Sequence, residues 1–123
     1  MNSILPSQDA ENRFTAYGDG YVCVNGVRYT SNLIVFTDRI ITDWTLSTFT
    51  TLSDKDFELL AGLDAEVLLL GTGNTQRFPA QALLQPLVIR QRTLEAMNTP
   101  SACRTFNMLA GQCRHVAAAI LIA

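Results

Sequence analysis

The order of apolar and polar positions divides the chain into a β-rich first part and a second part in which helices alternate with strands. Residues 1–12 are polar and unpatterned and read as a flexible N-terminal tail. From Arg13 to Phe36 the signals are those of strands. Gly18-Asp19-Gly20 is a turn, Tyr21–Val24 a short strand, and Asn25-Gly26 suits the two-residue hairpin turn that needs positive φ at both positions. Residues 27–30 return as the partner strand, and Leu33–Phe36 is a fully apolar run. Residues 40–46, with Trp44 among them, predict another short strand.

Ser53 with Asp56 three residues later has the form of a capping box. It opens a short acidic helix with Phe57, Leu60 and Ala61 inward and Gly62 as a stop. Residues 66–70 are then continuously apolar after Glu66, a pattern that suits a strand covered on both faces. Pro79 starts a second helix on which Leu83, Leu84, Leu87, Val88 and Gln91 share a face, and Pro86 kinks or restarts it. Residues 93–97 read as a strand. Thr99 caps a third helix with Pro100 at its first position, and Ala102, Phe106, Leu109, Ala110 and Cys113 form its core stripe. An apolar strand over 116–122 closes the chain. The alternation makes the second half α/β with parallel pairing, to which the β-rich first half is added.

Composition narrows the function classes. A chain of 123 residues, 48% apolar, fits one globular domain. The longest apolar run, residues 116–123, is far short of the roughly 20 residues that span a bilayer, so no membrane insertion is expected. The first basic residue, Arg13, follows Asp9 and Glu11, which argues against a secretory or mitochondrial targeting signal and for a cytoplasmic protein. The net charge of -2 hides an asymmetry: residues 1–66 carry ten acids against four bases, while residues 67–123 carry Glu95 against Arg77, Arg90, Arg92, Arg104 and Arg114. Such clustering either marks a binding face or is neutralised when the halves pack together. No basic cluster is interleaved with aromatics, so nucleic acid is not an expected partner. Cys23, Cys103 and Cys113 cannot all pair, and the lone His115 offers no zinc ligand set. No metal and no cofactor are expected.

Gly71-Thr72-Gly73-Asn74, after the buried strand, is the first candidate site. Its backbone N–H groups either face an anion or simply shape a tight strand exit. The helix start at Thr99 is the second. Its first turn holds no acid, so an anion can sit there with Arg104, and Arg77 can add a second contact. Alternatively Thr99 satisfies the cap alone and Arg104 pairs with Glu95 or an acid of the first half. Cys103, near that helix N-terminus, is a candidate nucleophile by position. The sole imidazole, His115, stands at the far end of the same helix, which favours a structural thiol and makes His115 a helix-end group. Asp54, Asp56 and Glu58 are explained by the helix dipole rather than by acid–base chemistry.

Three segments carry a family resemblance. They are Tyr17-Gly18-Asp19-Gly20-Tyr21-Val22-Cys23-Val24-Asn25-Gly26, Leu69-Leu70-Gly71-Thr72-Gly73, and Glu95-Ala96-Met97-Asn98-Thr99 running into Ala102-Cys103-Arg104-Thr105-Phe106-Asn107. Together they resemble the Mth-type domain family, which includes a mitochondrial NADH dehydrogenase (complex I) assembly factor and the adipogenesis-associated Mth-type domain protein. The resemblance covers residues 13–123 as a single domain and implies a three-layer α/β fold, with a mixed central sheet, helices packed against it and an added N-terminal β-hairpin layer, and no known enzymatic activity or cofactor. It puts interest on Gly71, Thr72, Gly73, Arg77, Arg104, Thr105 and Asn107. The sequence departs from the family pattern at residues 91–93, where relatives usually carry a glycine. The expected function is a non-enzymatic interaction module that holds a protein partner through a pocket between the Gly71–Gly73 loop and the Arg104 helix start. Alternatives are a binder or enzyme for a small anionic metabolite in that pocket, with Cys103 as nucleophile, and self-association into a homo-oligomer.

Overall fold

The computed structural model describes residues 11–122, so the expected tail falls mostly outside the described residues. Asn12 belongs to the fold: it is buried, and its side-chain amide donates to the carbonyls of Phe36 at 2.8 Å and Arg39 at 3.2 Å. Strands β1 (Phe14–Gly18), β2 (Tyr21–Val24) and β3 (Val27–Tyr29) form an antiparallel sheet. Asn25 and Gly26 take φ of 51° and 82°, the left-handed pair that the hairpin turn requires. There follow β4 (Leu33–Phe36), β5 (Ile40–Thr42), α1 (Asp54–Ala61), β6 (Val67–Thr72), α2 (Gln85–Ile89), β7 (Leu94–Met97), α3 (Thr99–Gly111) and β8 (Val116–Leu121). The second sheet runs β5-β4-β8-β6-β7, with β6 parallel to both β7 and β8 and β4 antiparallel to β5 and β8.

Every residue of β4, β6 and β8 is buried. Their side chains alternate between two cores. Leu33, Val35, Leu69 and Ile120 face the small sheet and α3, whereas Ile34, Phe36, Leu68 and Leu70 face α1 and Leu87 of α2. Period two with both faces apolar is what the unbroken runs imply. The architecture is therefore the three-layer α/β arrangement that the resemblance implies, and its α/β second half is the one the pattern predicts.

Several local expectations change. Strand β5 stops at Thr42, because Asp43 turns the backbone to φ 54°. Trp44 is buried from the loop instead, and its indole N–H donates to Ile120 O at 3.3 Å. The segment after Pro79 is a 3-10 turn (Gln81–Leu84) that passes into α2 with Pro86 near its start, so proline restarts the helix. Only Leu87 of its predicted stripe is buried, and Val88 is exposed. Gln91 takes φ 57°, a left-handed conformation, within residues 91–93, where the resemblance leads one to expect a glycine. Helix α3 ends at Gly111, so Cys113, at φ 61°, leaves the helix stripe and is exposed, and Cys103 takes part in the core in its place. His115 is likewise beyond the helix; its carbonyl accepts from Glu66 N at 3.0 Å and Val67 N at 3.1 Å.

Asn107 ties α3 to the small sheet. Its amide oxygen accepts from Phe14 N at 2.9 Å and its amide nitrogen donates to Phe14 O at 2.8 Å, so the side chain pairs with β1 as a strand would. Phe14 then meets Phe106 edge to face, with ring centroids 5.2 Å apart. Asn107→Ala should leave the Phe14 backbone partners unpaired and cost about 1–3 kcal/mol. Thermal unfolding that matches wild type would show that this pairing does not hold the small sheet.

Candidate functional site

The C-terminal ends of β6, β7 and β8 meet at one end of the central sheet, where open α/β folds place ligands. Gly71 there has no room for a side chain: a Cβ would stand 3.0 Å from Thr99 Oγ1, 3.1 Å from Ile120 Cδ1 and 3.2 Å from Thr99 Cα. Thr99 is buried, and its hydroxyl accepts from Gly73 N–H and donates to Leu121 O, each at 2.9 Å. Thr99 N–H in turn donates to Gly73 O at 2.8 Å. One side chain thus ties the exit of β6, the start of α3 and the end of β8. The helix cap falls to Asn98, whose Oδ1 accepts from Ser101 N at 2.8 Å, with Thr99 and Pro100 as the first two helical residues. The expected capping role of Thr99 is corrected accordingly.

These bonds decide what the glycine loop offers. The Gly73 N–H is committed to Thr99 and does not face solvent. Thr72 Oγ1 lies 2.6 Å from Thr75 O and 3.1 Å from Met97 O, folding the loop back over the sheet end. Beyond it Arg77 is exposed, with its guanidinium 5.7 Å from the centre of the Phe49 ring. The space between holds a cavity of about 420 Å³ walled by Thr48, Thr50, Thr75, Phe49 and Arg77. No periodic signal marks Thr48, Phe49 and Thr50, the cap and first two residues of a 3-10 turn (Phe49–Thr51), as part of a site.

Arg104 is held elsewhere. Its Nη1 donates to Tyr17 OH at 2.7 Å and its Nη2 to Ser101 Oγ at 3.2 Å, and it is not among the residues lining the cavity. Among the described residues it forms no ion pair with Glu95 or with an acid of the first half. Asn107 serves β1, and Thr105 is half-buried on α3. Of the predicted site residues, the structure therefore brings only Thr72 and Arg77 to the cavity; Gly71 and Gly73 are buried beneath the loop, and Cys103, Arg104 and Asn107 are turned to the core or to β1. Cys103 is buried, and desolvation pushes its thiol up from the ordinary value to about 12, outweighing the nearby Arg104 charge. A protonated thiol at neutral pH is no nucleophile.

The opposite end of the sheet has a polar hollow of about 520 Å³, in which Arg92 and Glu66 are bonded within the fold and Glu95 is exposed. Arg92 donates to the carbonyls of Ala61, Leu63 and Ala65, closing the end of α1. Glu66 accepts from His115 N–H and lies 3.5 Å from Arg114 Nε, which together hold its carboxyl below the usual value.

Residues 14–121 match the model of the family described as a protein of unknown function (DUF498/DUF598), and the chain belongs to that family. It is 37% identical over 84 residues to the zebrafish (Danio rerio) NADH dehydrogenase (ubiquinone) 1 alpha subcomplex assembly factor 3, covering 66% of this chain and 48% of that protein. The chain thus spans about half the length of this relative. A crystal structure of a Bordetella parapertussis protein superposes with a TM-score of 0.83 at 35% identity, over 91% of this chain and 96% of that one. A solution structure of a Bordetella pertussis protein, named as a Mth938-like domain, gives 0.75 at 27% identity over 98% and 92%. The Mth-type resemblance of the motifs is thereby established.

Two outcomes follow from the geometry. Gly71→Ala presses a methyl group against a hydroxyl that two hydrogen bonds hold in place, and should cost about 1–3 kcal/mol by overpacking, read as a midpoint lowered by several degrees. Iodoacetamide at neutral pH should modify exposed Cys113 first and Cys103 only on unfolding. Faster labelling of Cys103 in the folded protein would restore it as a reactive thiol.

Proposed function

We propose, with membership of this family as the premise, that the chain is a non-enzymatic interaction module that assists assembly of a respiratory or other redox complex by holding a partner protein. The observation that carries this reading is the similarity to a complex I assembly factor across most of the domain. The chemistry of the site supports it. The thiol nearest the site is buried and protonated, and His115 acts through its backbone at the other end of the sheet. What the site end offers is a hydroxyl-lined cavity beside an exposed guanidinium, which suits recognition of a carboxylate. We assign the contact to the Gly71–Arg77 loop with residues 48–50, and give Arg104 a supporting role through Tyr17 in the adjoining layer.

Affinity capture from the organism that carries the gene, followed by mass spectrometry, tests both parts. The wild-type chain should recover subunits of a respiratory or redox complex, and a deletion strain should assemble less of that complex on native gels. Arg77→Ala should cut recovery while leaving the unfolding midpoint nearly unchanged, since exposed substitutions shift stability within about 0.5 kcal/mol. Arg104→Ala should leave recovery largely intact. Normal assembly in the deletion strain would sink the assembly role, and full recovery by Arg77→Ala would sink the site.

A further inference from the structure

We infer that the cavity beside Arg77 and a second, apolar one adjoining it form a single groove for an extended segment of the partner protein, which lays a carboxylate on Arg77 and a large apolar side chain against Phe49, Phe78 and Leu83. The inference rests on the proposed partner-holding role and adds the chemistry of what is held. The second cavity, about 310 Å³, is walled by Phe49, Leu52, Phe57, Phe78 and Leu83. Phe49 and Thr50 line both cavities, so the two adjoin at that ring. Phe57 and Leu52 are buried members of the core and give the apolar part a fixed floor. Phe78, by contrast, is 74% exposed at its lip, directly after Arg77 in the chain.

Charge complementarity selects the occupant. Arg77 pairs with no carboxylate among the described residues, although its guanidinium stands beside the Phe49 ring. A cation at one end and an aromatic-walled pocket at the other match a segment that carries an acid a few residues from an aromatic or large aliphatic anchor. Anchors of this kind supply much of the affinity in protein interfaces, and the charged contact fixes register.

Selection of random displayed peptides on the immobilised full chain, with anisotropy titration of a selected fluorescein-labelled peptide, tests the inference. Enriched peptides should combine an acid with a nearby aromatic or large aliphatic residue. Arg77→Glu should weaken the titrated peptide about tenfold to a hundredfold, the range expected for losing a hydrogen-bonded charge, and Phe78→Ser should weaken it independently. Enrichment without the acid, or affinity unmoved by both variants, would overturn the inference. So would binding seen only after removal of residues 1–10, which would give the groove to the chain's own N-terminus. Concentration-dependent self-association abolished by Phe78→Ser would overturn it in favour of a second copy. Peptide binding is read without any complex being assembled, so the two readings fail separately. Selective peptides together with normal assembly in the deletion strain would remove the assembly role alone; defective assembly without peptide preference would remove the groove alone.

Discussion

The close approach of α3 to β6 at Gly71 is the constraint on which the site end of this molecule depends. A Cβ on the strand residue would force the helix start to give by a few tenths of an ångström, so glycine permits this approach, and the buried backbone groups left there need partners. Thr99 supplies them, accepting from Gly73 and donating to Leu121. Because this side chain joins three segments far apart in sequence, the loop after β6 leaves the sheet along one path. Thr72 then folds that loop back through Thr75 and Met97, which places Arg77 against Phe49. The cavity is thus a consequence of packing beneath it.

Much of the fold is legible along the chain because its strongest signals are local. Asn25-Gly26 specifies its own turn, the Ser53–Asp56 pair opens α1 as a capping box, and the unbroken apolar runs of β4, β6 and β8 announce strands buried on both faces. What is missed is decided by tertiary contact. Trp44 reads as a strand residue until Asp43 turns the chain and Ile120 accepts its indole proton. Cys113 fits the helical stripe by spacing, yet the helix ends two residues before it. The turn over residues 91–93 is not legible without the expected glycine, whereas in the fold Gln91 adopts the left-handed conformation.

The candidate site is legible only in part, for a related reason. A polar motif in sequence does not say whether its hydrogen-bonding groups face solvent or another part of the chain. Thr99, Asn107 and Gly73 are all turned inward, where they close contacts between layers. Arg104, one turn along α3, reaches across to Tyr17. Thr48, Phe49 and Thr50 join the site from a short turn whose composition resembles any polar connection. Family motifs in this chain therefore mark, in large measure, the joints that hold the three layers in register.

The charge asymmetry takes on meaning once each base is placed. Only part of the positive second half neutralises the negative first half: Arg114 meets Glu66, whereas Arg92 satisfies carbonyls at the end of α1 and Arg104 meets a phenol. Those guanidinium groups act as multi-pronged donors to neutral oxygens, a use suited to a planar, permanently charged group. Arg77, beside the Phe49 ring and the cavity, differs from these three in having neither a hydrogen bond nor an ion pair among the described residues. An exposed cation next to exposed Phe78 contributes little to folding, since solvent screens the charge and the ring stays in water. Both groups gain their full interaction only when another surface excludes that water, and this is the physical reason for placing the partner there.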